Sequence, residues 1–179
     1  MLKEIFEEII NEKILNLYNK NEKEKYAEII YDLLQKSYEK IGGLKGSGFE
    51  NPKEMINKIY LWKIYKRGNK ILAGIMYKDK EFRKAVAVFT NQTEEGKLAL
   101  KKLLRDDFER SIIEISGPLY KFIENNFPTL LAKYKIPCKE AEKILRKKLD
   151  CIDDYFYVRN INGNKLEKIM VGTIKLTSK

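Results

Sequence analysis

Leu61-Trp62-Lys63-Ile64-Tyr65, Ile71-Leu72-Ala73-Gly74-Ile75-Met76-Tyr77 and Phe82-Arg83-Lys84-Ala85-Val86-Ala87-Val88-Phe89 decide the fold. The first run alternates apolar and polar residues, the second is apolar almost throughout, and the third is rich in β-branched and small residues. Arg67-Gly68-Asn69-Lys70 and Asp79-Lys80-Glu81 read as tight turns between them. Consecutive strands joined by such short links make an antiparallel meander over about 60–90. After Thr90 the period lengthens to that of a helix, with Leu100, Leu103, Leu104 and Phe108 on one face. Thr93 is its expected N-cap, and Glu94 and Glu95 suit the positive end of the helix dipole.

Outward from this frame the expected architecture is α+β, in a single domain over 1–179. Residues 2–18 space Leu2, Ile5, Phe6, Ile9, Ile10 and Ile14 as one face of an amphipathic helix. A second helix over about 22–41 carries Tyr26, Ile29, Ile30, Leu33, Leu34 and Tyr38. Together they predict a helical N-terminal pair, 1–41, ahead of a sheet-and-helix core over 59–179. The glycine-rich run Gly42 to Gly48 follows a helix and lacks the strand and Lys-Ser/Thr pair of a phosphate loop, so it reads as a connector. Asn51 and Pro52 start a short helix. Ser111 to Ser116 fits either a strand or more helix, and Gly117-Pro118 opens the next helix. Residues 125–137 read as loop, and 138–149 as helix. Asn162-Gly163-Asn164 turns a C-terminal hairpin between Tyr155–Arg159 and Leu166–Ile174.

Composition narrows the chemistry. The chain of 179 residues contains no histidine, which removes His-based triads and His-ligated zinc, and no metal is expected. Cys138 and Cys151 are the only cysteines, expected as reduced thiols in the cytoplasm. No apolar run is long enough for a membrane span, and no signal-peptide pattern stands at the start. The net charge is +10, and it is concentrated. Residues 59–84 carry eight Lys/Arg against two Asp/Glu, and 138–149 carry five against two. Lys63, Lys66, Arg67, Lys70, Arg83 and Lys84, with Arg146, Lys147 and Lys148, are therefore the candidate contacts for an acidic protein, a ribonucleoprotein or RNA. Tyr60, Trp62, Tyr65 and Tyr77 interleave with them as candidate stackers for unpaired bases. The competing reading is a basic composition inherited from an AT-rich genome.

This order of elements, over roughly 22–179, resembles the GNAT acyltransferase fold: a GNAT-like mixed sheet with a central meander and closing hairpin. That family carries Arg or Gln, two residues, Gly, one residue, then Gly or Ala at the start of the helix after the meander. Here the stretch is Thr93-Glu94-Glu95-Gly96-Lys97-Leu98, and Gly96 alone matches. The resemblance implies acetyl-CoA as cofactor, Gly96 at its pyrophosphate and Tyr120 as the proton-transferring residue. Glu94 and Glu95 would repel a pyrophosphate at that helix start, so no cofactor is expected outside this acyltransferase alternative. Gly96 to Asp107, Ile136-Pro137 and the hairpin also look similar to small phage and prophage accessory proteins. That similarity implies an anti-defence role in a bacterial host cell, such as anti-CRISPR inhibition of an RNA-guided nuclease through a basic surface.

Overall fold

A computed structural model of the protein describes residues 12–17, 23–39, 51–114, 117–149, 151–152, 154–162, 165–168 and 170–171. The fold is α+β, and the chain packs as two units, Met1–Asp106 and Asp107–Lys179. In the first unit, Glu12–Asn16 forms a strand, β1. The helical spacing read over 2–18 therefore fails at its C-terminal end, while residues 2–11 and 18 lie outside the described residues. Pairing outweighs local pattern here: β1 joins Trp62–Arg67 antiparallel, with Glu12 opposite Arg67 and Asn16 opposite Lys63, giving an otherwise open strand edge its ladder of hydrogen bonds. Leu15 turns toward the core and Ile14 toward solvent, as the two-residue period of a strand requires.

Lys23–Tyr38 is the first helix, α1, and buries Tyr26, Ala27, Ile30 and Leu34 along one stripe. The short helix α2, Pro52–Lys58, starts as expected: the Glu54 N–H donates to Asn51 Oδ1 at 3.1 Å, and proline takes the first turn. A 3-10 turn, Ile59–Leu61, delivers the chain to β2, Trp62–Arg67. Gly68, at φ +54°, and Asn69 turn it into β3, Lys70–Tyr77. The third meander strand, β4, runs Lys84–Thr90. It starts two residues later than expected because Phe82 and Arg83 belong to the turn, where the Glu81 N–H donates to the Asp79 carboxylate at 2.9 Å and Phe82 takes φ +54°. The sheet β1-β2-β3-β4 is antiparallel throughout.

Trp62 is the hub of this unit's core. It is fully buried, donates its indole N–H to Met55 Sδ at 3.1 Å, and meets Phe89 at 5.3 Å between ring centroids. Gly74 lies beneath the Phe89 ring, and a Cβ there would stand 2.6 Å from Cζ. Glu94–Arg110 is α3, which buries Leu100, Leu103, Leu104 and Phe108 as the sequence predicts.

In the second unit Ile112–Glu114 is strand β5, which settles the open alternative for 111–116 at those residues. Gly117–Asn126 is α4, and Pro128–Tyr134 is a further helix, α5. Residues 125–137 are thus not loop. Pro128 sits in the first turn of α5, where a missing N–H costs nothing, and Leu131 and Tyr134 are buried. Lys135–Pro137 (β6) leads into α6, Cys138–Leu145, which stops four residues short of its expected end because Arg146 turns left-handed at φ 52°. Tyr155–Asn162 (β7) pairs antiparallel with β6 and with Lys165–Lys168 (β8). The predicted hairpin is therefore present, although Gly163 and Asn164 of its turn lie outside the described residues. Met170–Val171 (β9) runs parallel to β5.

The cysteines are not reduced thiols. Pairing of β6 with β7 and the Cys138 N–H bond to the Asp154 carbonyl at 2.8 Å bring the start of α6 beside residue 151. Cys138 and Cys151 are disulfide-bonded, with Cα atoms 6.0 Å apart.

Candidate binding surface

β2 and α3 meet through three polar contacts that step along one stripe of the helix. Arg67 Nη1 donates to Glu95 Oε1 at 3.0 Å. Lys102 Nζ donates to the Tyr65 hydroxyl at 2.9 Å and stands 5.2 Å over its ring. Lys63 Nζ lies 3.7 Å from Asp106 Oδ2. Positions 95, 102 and 106 are seven and four apart, the spacing of one helical face.

A groove of about 300 Å³ opens along this seam. Tyr65, Leu72 and Ala99 form its buried floor, and Leu98, 60% exposed, projects beside it. Arg67, Lys101, Lys102 and Arg105 surround it against one carboxylate, Glu95. Arg105 is exposed and has no ion pair or hydrogen bond among the described residues.

The predicted basic residues divide. Lys63 and Arg67 hold the seam, while Lys66, half-buried, and Lys70, exposed, stand on the same hairpin. Arg83 is neutralised within its turn by Glu81 at 2.9 Å and Asp79 at 3.7 Å. Lys84 is half-buried at the start of β4. Arg146, Lys147 and Lys148 belong to the second unit and are exposed at the end of α6. There Glu142 accepts from the Leu149 N–H at 3.1 Å and from Lys148 Nζ at 3.2 Å. Those two bonds, the backbone one first, hold the Glu142 carboxyl below its ordinary value of 4.5.

Two expectations change. Trp62, Tyr65 and Tyr77 are 0, 5 and 1% exposed, so none of them presents a face to a base; each is part of the packed interior. Tyr60, half-buried, has Lys80 Nζ 5.2 Å from its ring centroid. The groove's helix side, Lys101, Lys102 and Arg105, lies outside the set of predicted basic residues. Lys101 and Arg105 recur four apart on the polar side of α3, but Lys102 becomes part of a site only through its bond to Tyr65, a residue 37 positions away.

The start of α3 is closed on itself. Thr93 donates its hydroxyl to Asn91 Oδ1 at 2.6 Å, and the Gly96 N–H donates to Thr93 Oγ1 at 3.1 Å. A Cβ on Gly96 would overlap Asn91 Oδ1 and stand 2.9 Å from the Leu72 carbonyl oxygen. Close packing therefore accounts for a glycine at position 96. Tyr120, in the second unit, is buried, with its hydroxyl 2.9 Å from that of Tyr157.

No family model, curated protein or solved structure matches this chain. No helix among the described residues is long and apolar enough to cross a membrane.

Proposed function

We propose that this protein is a non-catalytic binding protein that engages an acidic partner through the basic groove between β2 and α3. The observation carrying this reading is the charge of the groove: four cations surround it against a single carboxylate, with Arg105 exposed. Such an arrangement raises the local concentration of anionic partners and favours their docking. The similarity to phage accessory proteins supplies a setting, the inhibition of a host protein or ribonucleoprotein such as an RNA-guided nuclease.

The scaffold reading is a GNAT-like fold used without its cofactor. β1 supports it: that fold opens on a strand, and Glu12–Asn16 form one where the sequence pattern points to a helix. The start of α3 argues against acyl transfer. Its Gly96 N–H is taken by Thr93, Asn91 fills the space over Gly96, and Glu94 and Glu95 place two carboxylates where a pyrophosphate would dock. The Tyr120 hydroxyl is likewise engaged by Tyr157.

Retention on heparin at about 50 mM salt, falling steeply as salt rises, is the expected result. Arg105→Glu combined with Lys101→Glu is expected to weaken it. Flow-through at low salt, or a rise in melting temperature with millimolar CoA, would overturn the reading.

A further inference from the structure

Resting on that reading, we infer that the β2–α3 groove takes an acidic peptide segment of a partner protein, with an apolar side chain seated against Leu98 and carboxylates on the surrounding cations. Charge alone leaves nucleic acid and acidic protein level. Three observations separate them.

The first is the groove's apolar content. Leu98 is one of the few large apolar side chains exposed among the described residues, and it stands beside the buried Leu72 and Ala99. The charged phosphates of a nucleic acid gain nothing from such a surface, whereas an apolar side chain loses water against it, worth roughly 25 cal/mol per Å² of apolar area covered. A volume of about 300 Å³ matches one or two side chains, not a folded domain.

The second is that the groove's one aromatic lining residue, Tyr65, is buried and offers no open face for stacking. Single-strand binders gain much of their affinity from aromatic faces on which successive bases lie. Trp62, Tyr65 and Tyr77 are all buried.

The third is the way the seam already treats carboxylates. Arg67 holds Glu95 and Lys63 holds Asp106, eleven residues apart along one side of α3. Lys101, Lys102 and Arg105 fall between these two pairs. A peptide with acids flanking an apolar residue continues a pattern that the chain's own helix starts. Guanidinium groups suit carboxylates because their N–H fork matches two oxygens, so Arg105 is the expected anchor.

The test is fluorescence anisotropy on the full chain at about 50 mM salt with three labelled probes. They are a ten-residue peptide of Glu and Asp around a central Leu-Leu, the same peptide with Ser-Ser, and a ten-nucleotide oligouridine. The expected result is that the Leu peptide binds about tenfold tighter than the Ser peptide and tighter than oligouridine. Leu98→Asp is expected to erase the preference for Leu, and Arg105→Glu to weaken both peptides. Leu98→Ser serves as a second variant that adds no charge; both are expected to melt like the parent because residue 98 is exposed. Equal binding of the two peptides, tighter binding of oligouridine, or a Leu preference that survives both Leu98 variants overturns the inference. Heparin retention without peptide binding also overturns it while leaving the basic surface standing. Loss of heparin retention removes the function proposed above.

Discussion

Met1–Asp106 and the stretch around α6 both carry clustered cations, but they are held together by different means. The first has a continuous core in which α1, α2 and the sheet converge on Trp62, Ile64 and Phe89. The second gathers Ala141, Phe156 and Val158 into a small cluster, with Ile136, Leu149 and Cys151 packed against it, and adds the Cys138–Cys151 bond. Around α6, where the apolar cluster is small, the disulfide adds to it by restricting the unfolded chain. The cations differ in the same sense. Those of β2 and α3 line a groove built on buried side chains, whereas Lys148 and the backbone after α6 converge on Glu142. A basic stretch becomes a site when a rigid scaffold arranges it, not when it is merely dense.

The sharpest way to break this comparison is to remove its two supports separately. Trp62→Ala is expected to cost about 3–5 kcal/mol in urea melts, as for other buried tryptophans. It should expose amides of α1, β2 and β4 in hydrogen exchange. Cys138→Ser is expected to cost about 3 kcal/mol, from a loop whose ends are 13 residues apart. The faster exchange should be confined to α6 and β7, with β2 to β4 unchanged. Titration of the denatured, unreduced protein should find no free thiol. Uniform loss of protection in either variant would erase the contrast.

Smaller effects sharpen it. Gly96→Ala is expected to cost about 1–3 kcal/mol by thermal or urea unfolding, because its Cβ must displace the Asn91 side chain or the Leu72 carbonyl. Glu142 gives a pH signature confined to the second unit. Its folded pKa is lowered, so its clasp contributes fully above the unfolded value of about 4.5 and fades as pH falls through the lowered one. The protection of the Leu149 amide, taken relative to its intrinsic exchange rate at each pH, should fall on acidification in the parent and stay flat in Glu142→Gln.

Much of the fold could be read from local signals. Gly68-Asn69, Asn51-Pro52 and Thr93 each carry a turn or cap whose physics is contained in a few residues, and each stands where expected. The failures share a different cause. β1 is a strand because of a partner some fifty residues away, and its own pattern points to a helix. The disulfide follows from β6 pairing with β7, which no cysteine spacing reveals. The groove was half visible for the same reason: the basic residues of β2 stand out in the count over 59–84, but only the fold brings Lys102 of α3 to Tyr65.

Ser37, near the end of α1, donates its hydroxyl to the Thr90 carbonyl and accepts from the Thr90 N–H and the Gln92 side-chain amide. One oxygen thus uses its single proton and both lone pairs on the segment that launches α3. That segment has local bonds and a distant one: Gln92, at φ 63°, donates its backbone N–H to Thr90 Oγ1 and its side-chain amide to Ser37, 55 residues earlier in the chain. The local cap at Thr93 gives the helix start its form, and the closure to Ser37 fixes where on the scaffold that start, and the groove beside it, is held.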